Sequence, residues 1–163
     1  MIAGIDPALA SLGYAISDGE TILCWGRITT PASLSREQRL AVIYNQLLEL
    51  FLEHKVEAVA IEDQFAGRNI VTLKALNQAT GVVLLAAAHA DAPAHLYAPT
   101  TVKSKVAGNG RANKEDVMAA IQAHFAEDLE VQRLFEHGPA KKDDIADAMG
   151  LILTYLAKEE EDA

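Results

Sequence analysis

The chain has 163 residues, of which 50% are apolar and 23% are charged, and it contains one cysteine. This length fits a single domain with one core, and the composition excludes a disordered chain or one built of membrane spans. One cysteine cannot form an intrachain disulfide, and the first residues lack the basic and apolar regions of a secretory signal, so we expect a cytoplasmic protein without a membrane segment.

The first half of the chain predicts three strands, a helix and a fourth strand. The three strands, joined by short turns into an antiparallel meander, lie at residues 1–4, 13–17 and 21–29. After Pro31, Ser33 or Ser35 can cap a helix that runs to about His54, with apolar residues at helical spacing. Residues 58–61 predict a buried strand that ends on Glu62.

The second half predicts a mixture of helices and one strand. A long helix covers residues 69–90, a strand follows at 95–97, and a helix begins at Pro99. Residues 108–110 form a loop, Asn113 caps a helix that reaches about His124, and the final helix covers 142–157. We therefore expect one domain over residues 1–158, followed by a solvated acidic tail at 159–163.

The net charge of −9 is unevenly distributed along the chain. Residues 1–63 carry four Lys or Arg against nine Asp or Glu, and residues 115–163 carry four against thirteen. Residues 64–114 reverse this balance, with six basic residues and one acidic residue. This basic middle segment can approach a polyanion, although the protein as a whole is acidic.

Four carboxylates occupy positions where they could meet. Asp6 and Glu62 each end a predicted strand, while Asp144 and Asp147 lie three residues apart on one face of the last helix. Such a cluster could hold two Mg²⁺ or Mn²⁺ ions, which take oxygen ligands and catalyse phosphodiester hydrolysis in pairs. Taken singly, each acid could instead close a turn or stabilise a helix start, and residue spacing alone leaves both interpretations open.

Six short segments, in their order and spacing, resemble the RuvC family of Holliday-junction resolvases. They are residues 4–7 (GIDP), 60–65 (AIEDQF), 74–81 (KALNQATG), 97–103 (YAPTTVK), 108–114 (GNGRANK) and 144–148 (DIADA). The resemblance extends over nearly the whole chain. It implies an α/β, RNase H-like fold with a five-stranded mixed sheet flanked by helices, and a homodimer as the working unit.

The same resemblance assigns roles to individual residues. It implies that Asp6, Glu62, Asp144 and Asp147 are catalytic metal ligands, with two ions per active site. Lys103 and Lys114 match lysines near the scissile phosphate, where they can offset developing charge. Phe65 matches an aromatic residue that stacks on unpaired bases. The remaining candidates for DNA phosphate contacts are Arg68, Lys74, Lys105 and Arg111.

The implied activity is paired, metal-dependent cleavage of a four-way DNA junction, with a branch-migration helicase as a candidate partner. Two alternatives remain open at this point: an RNase H-like nuclease acting on structured RNA, and a catalytically silent junction-binding protein. The chain departs from the family at Ala8, where Gly is usual, and at Leu12, where Thr is common. Both lie near Asp6, and neither removes a carboxylate.

Overall fold

A five-stranded mixed sheet forms the centre of the computed structural model, which describes residues 1–63 and 69–163. Its strands are β1 (Ile2–Asp6), β2 (Ser11–Ser17), β3 (Ile22–Thr29), β4 (Ala58–Glu62) and β5 (Ala94–Tyr97). The strand order is β3-β2-β1-β4-β5. β1 to β3 pair antiparallel, while β4 pairs parallel with both β1 and β5. The predicted meander and mixed sheet are confirmed.

The described residues form six helices: α1 (Arg36–Glu53), α2 (Ile70–His89), α3 (Pro99–Ala107), α4 (Lys114–His124), α5 (Leu129–His137) and α6 (Asp143–Asp162). In α1, α2, α4 and α5 the residue before the helix accepts hydrogen bonds from backbone N–H groups of the first turn. Ser35, rather than Ser33, caps α1 in a capping box with Gln38, and Asn113 caps α4 in the same way with Asp116.

Two features of the second half differ from the sequence prediction. Helix α5 was not predicted, although Asp128 caps it by accepting hydrogen bonds from two backbone N–H groups of its first turn. The expected acidic tail is instead the last part of α6, which continues to Asp162. This extension has cationic partners, because Lys105 and Lys158 both donate to Glu161. The proposed end of the domain at residue 158 therefore falls inside a helix.

Helices cover both faces of the sheet, so the core has two layers. α1 and α2 pack on the face that receives Ala3, Ile5 and Ile61, while α4, α5 and α6 pack on the other. Because side chains alternate along a strand, Asp6 and Glu62 lie on the face that α6 covers.

Two glycines let α6 approach the sheet closely. A Cβ on Gly4 would lie 1.9 Å from the carbonyl oxygen of Ala148, and one on Gly13 would lie 2.3 Å from that of Asp144. No side chain fits at either position without moving backbone. The first turns of α6 are therefore held directly over β1 and β2, and the acids of this helix lie above the strand ends.

Candidate active site

One row of residues across the sheet forms the floor of the site. Asp6 pairs with Gly13 on β2, and Gly13 pairs with Arg27 on β3. On the other side, β1 and β4 run parallel with Ile5 beside Ile61, and continuing this register places Asp6 beside Glu62. Asp6 and Glu62 thus end two strands, as the sequence predicts, and these strands are adjacent and parallel.

The start of α6 contributes the other two predicted carboxylates. Asp144 and Asp147 line a cavity of about 310 Å³ together with Asp6 and Glu62. The charged residues that line this cavity are Asp6, Arg27, Glu62, Lys114, Lys141, Asp143, Asp144 and Asp147. The structure therefore brings all four predicted acids to one place from three separate elements.

Burial and mutual repulsion raise the pKa values of the central acids. The pKa of Asp6 lies well above its usual range because the group is desolvated, and the charges of Glu62, Asp147 and Asp144 add to this effect. The pKa of Asp147 is raised to about 6, again first by burial and then by Glu62. A cation among these groups would be stabilised by the same charges that now repel one another.

Two lysines border the carboxylates. Lys114 forms an ion pair with Asp143 at 2.7 Å. Burial alone would lower the pKa of Lys114, but this hydrogen bond and the charges of Asp147, Asp143 and Asp6 raise it overall. Lys103 lines an adjoining cavity of about 290 Å³, which shares Glu62, Lys114 and Asp147 with the first. Both lysines thus lie beside predicted metal-ligand carboxylates.

Asp144 has partners that sequence reasoning missed. The Arg27 Nη2 and Nε atoms donate to Oδ1 of Asp144 at 2.7 and 2.8 Å, and Nε also lies 2.7 Å from Oδ2. Ser11 Oγ donates to Oδ2 at 3.0 Å. Arg27 lies within a predicted strand whose alternation directs it to the same face as Trp25, but that pattern does not indicate Asp144 as its partner.

The four carboxylates suit a divalent cation, although they are not clustered around a single point. Within residues 1–63 and 69–163, no three His, Cys, Asp or Glu side chains are already close enough to share one ion. The four carboxylates nevertheless supply only oxygen donors, as Mg²⁺ and Mn²⁺ require, and their excess negative charge is repulsive without a cation. Their chemistry therefore fits metal ions.

The remaining predicted residues lie away from the cavity or outside the described part of the chain. Lys105 projects from α3 toward the end of α6, where it pairs with Glu161. Lys74 and Arg111 are exposed on α2 and in the loop before α4. Phe65 and Arg68 lie outside the described residues.

The two departures from the family pattern fit the structure. Ala8 lines the cavity. Its φ angle is not positive, so its Cβ causes no backbone strain. Leu12 is fully buried in the core beneath α1 and α2, on the opposite face from Asp6.

Comparison with known sequences matches nearly the whole chain to the family that the six sequence segments resemble. The model of the family described as crossover junction endodeoxyribonuclease RuvC matches residues 2–155. The RuvC of Moorella thermoacetica is 39% identical over 161 residues, which cover 96% of this chain and 91% of that protein. The RuvC of Heliobacterium modesticaldum is 36% identical over 157 residues, covering 94% and 91%.

Solved structures agree with the sequence comparison. The structure of Thermus thermophilus RuvC in complex with a Holliday junction substrate superimposes with a TM-score of 0.85 at 28% identity, covering 99% of this chain and 95% of that one. A yeast mitochondrial Holliday junction resolvase shares the fold, with a TM-score of 0.66 at 17% identity. The predicted RNase H-like fold is therefore confirmed.

Proposed function

This chain belongs to the RuvC family of crossover junction endodeoxyribonucleases, and from that premise we propose that its carboxylate cavity hydrolyses phosphodiester bonds of four-way DNA junctions. The observation that carries the proposal is the convergence of Asp6, Glu62, Asp144 and Asp147 on one open cavity bordered by lysines. An acidic centre with a basic border suits a reaction in which cations and a phosphate must meet.

The four carboxylates are proposed as the ligands of two Mg²⁺ or Mn²⁺ ions. Nucleases of this family depend on divalent metal ions. Ions bound here would lower the pKa of an attacking water molecule and would place positive charge beside the leaving oxygen. Asp6 and Glu62 are fixed by the sheet, whereas Asp144 and Asp147 are fixed by α6, so the two halves of the ligand set come from rigid elements.

Lys103 and Lys114 are proposed to hold the scissile phosphate. Both line the cavity that adjoins the carboxylates on the side of α3 and α4. Lys114 is oriented by Asp143 and remains a strong cation, because its pKa is raised. An ammonium in this position can bind a non-bridging phosphate oxygen and offset charge that develops during hydrolysis.

The basic middle segment is proposed as the surface that approaches the DNA backbone. Lys74 and Arg111 are exposed and face solvent, and Lys105 lies further along α3. Arg68 and Phe65 belong to the proposal on the sequence resemblance alone. Because phosphate contacts dominate affinity and release counterions, binding through these residues should weaken steeply with salt.

A homodimer is proposed, with α2 as its contact surface. By length and composition α2 could cross a membrane, with a mean hydropathy of 1.5, yet one of its faces packs on the core. Its exposed surface carries four large apolar residues, Ile70, Val71, Leu84 and Leu85. Ile70 and Leu84 lie on nearly the same side of the helix, as do Val71 and Leu85, so the two pairs form one apolar strip that suits a partner subunit. Subunit association would cover Ile70 and Leu84, which are 84% and 37% exposed.

The proposed function is tested by comparing substrates of matched sequence. Four-way DNA junctions, linear DNA duplexes and structured RNA are incubated with the protein in Mg²⁺ and in Mn²⁺, with Asp147→Asn as the inactive control. We expect paired nicks in junctions that leave two ligatable duplexes. Faster cutting of structured RNA would identify an RNA nuclease, and junction binding without cutting would identify a silent binding protein. Either result overturns the proposal.

A further inference from the structure

The Asp144 carboxylate is already occupied by donors from this chain. Its Oδ1 atom accepts from Nε and Nη2 of Arg27 and from the backbone N–H of Ile145, and its Oδ2 atom accepts from Nε of Arg27 and from Ser11. The two ion-pair partners are largely buried, with 22% of the Arg27 side chain and 18% of the Asp144 side chain exposed. A carboxylate offers about four lone-pair sites, so little accepting capacity remains.

A divalent ion therefore cannot use Asp144 without replacing one of these donors. Arg27 is the donor that the ion must displace, because the positive charge of Arg27 would repel it. The other two donors, Ser11 and the Ile145 N–H, are neutral. The cavity leaves room for such a movement, since Arg27 lines it and part of the Arg27 side chain is exposed.

The backbone explains why this arginine reaches the site. Arg27 is paired with Gly13, which is paired with Asp6, so these three residues form one row on the face below α6. Gly13 has no side chain, and a Cβ there would lie 2.9 Å from the Cβ of Asp144. The guanidinium thus reaches Asp144 from β3 across a position that carries no side chain.

We propose that Arg27 sets the metal affinity of the site: it holds Asp144 when no divalent ion is bound and leaves Asp144 when an ion binds. This inference rests on the proposed function, because it takes the four carboxylates as the metal ligands. It agrees with the finding that no three described acids are close enough to share an ion, since Arg27 directs Asp144 toward β3. The alternative is that Arg27 permanently orients Asp144 for metal binding, and the two roles predict opposite effects of removing it.

The direct test is calorimetric titration of the purified protein with Mn²⁺ and with Mg²⁺. Arg27→Gln removes the charge and the paired hydrogen bonds, and we expect it to bind Mn²⁺ about ten-fold more tightly or better, since hydrogen bonds to a charged group are worth at least that factor. Arg27→Lys keeps the charge but not the two-point geometry, and it should bind more tightly by a smaller factor. Unchanged or weaker binding in Arg27→Gln overturns the inference, and weaker binding identifies a permanent orienting role.

Matched variants separate this inference from the proposed function. Arg133→Gln removes an arginine that pairs with Glu130 away from the cavity, and it should leave Mn²⁺ affinity unchanged. Asp147→Asn should lose most Mn²⁺ binding; if it does not, the proposed metal site fails. If Asp147→Asn loses binding while Arg27→Gln binds no more tightly, only the Arg27 inference fails. If Arg27→Gln does not fold, Arg27→Lys decides, with tighter binding supporting the inference and equal or weaker binding overturning it.

Discussion

The raised pKa of Asp147 predicts that the protein without divalent ions loses stability as the pH rises. This pKa is about 6 in the folded protein, compared with an ordinary value of 3.8, because the group is buried and lies near Glu62. Between these two values the folded state holds more protons than the unfolded state. The resulting stabilisation is fully present below pH 4 and is lost as the pH rises through 6.

The size of this effect follows from the shift. About two pKa units at 1.36 kcal/mol each give about 3 kcal/mol for the free energy of unfolding. Asp147→Asn removes the titrating group and also relieves the repulsion that raises the pKa of Asp6. About 1 kcal/mol of this effect is already lost at pH 4.5, so we expect the variant to lose about 2 kcal/mol less than the wild type between pH 4.5 and 7.5.

Urea unfolding in the presence of a chelator, followed by circular dichroism, measures this difference. Glu127→Gln, which replaces an exposed acid distant from the cavity, should follow the wild-type curve. Adding Mg²⁺ should stabilise the wild type more at pH 7.5 than at pH 5.5, because protons compete with the ion for the carboxylates. Parallel pH curves for the wild type and Asp147→Asn would refute the reasoning.

Three further changes test the surroundings of the site. Lys103→Ala should slow junction cleavage by about ten-fold or more while changing the unfolding free energy by less than about 0.5 kcal/mol, and an unchanged rate would assign Lys103 to the solvated surface. Gly13→Ala should destabilise the protein by about 1–3 kcal/mol in urea, because its Cβ would meet backbone of α6; a neutral result would contradict the close approach. Leu84→Glu should give monomers in analytical ultracentrifugation, whereas Leu52→Glu, on the exposed face of α1, should not; dimers in both would place the interface elsewhere.

Local sequence patterns were sufficient to predict the strands and most of the helices, whereas the five-stranded mixed sheet was implied by the resemblance to the RuvC family. The apolar run at residues 58–61 and the cap at Asn113 are signals carried by a few neighbouring residues. Helix α5 was missed because it is nine residues long and buries only Val131 and Leu134, so few turns repeat its pattern. The length of α6 was underestimated because its last residues are stabilised by Lys105, a contact with a different helix.

Element order places the four acids at strand ends and at a helix start, but residue spacing alone left their convergence open, and the resemblance to the RuvC family implied it. Arg27 was not predicted as a partner of these acids. The pair of Arg27 with Asp144 joins residues that are 117 positions apart, and it depends on the absence of a side chain at Gly13. No local pattern contains that information, because it follows from how closely α6 packs on the sheet.

Cleavage of a four-way DNA junction by the wild type and by Asp6→Asn in Mg²⁺ tests the central claim most directly. Asp6 lies at the end of the central strand, beside Glu62 and below α6, and asparagine preserves its shape while removing its charge. The account predicts paired nicks by the wild type, none by Asp6→Asn, and equal junction binding by both in a mobility-shift assay. Equal cutting by the two proteins would contradict it.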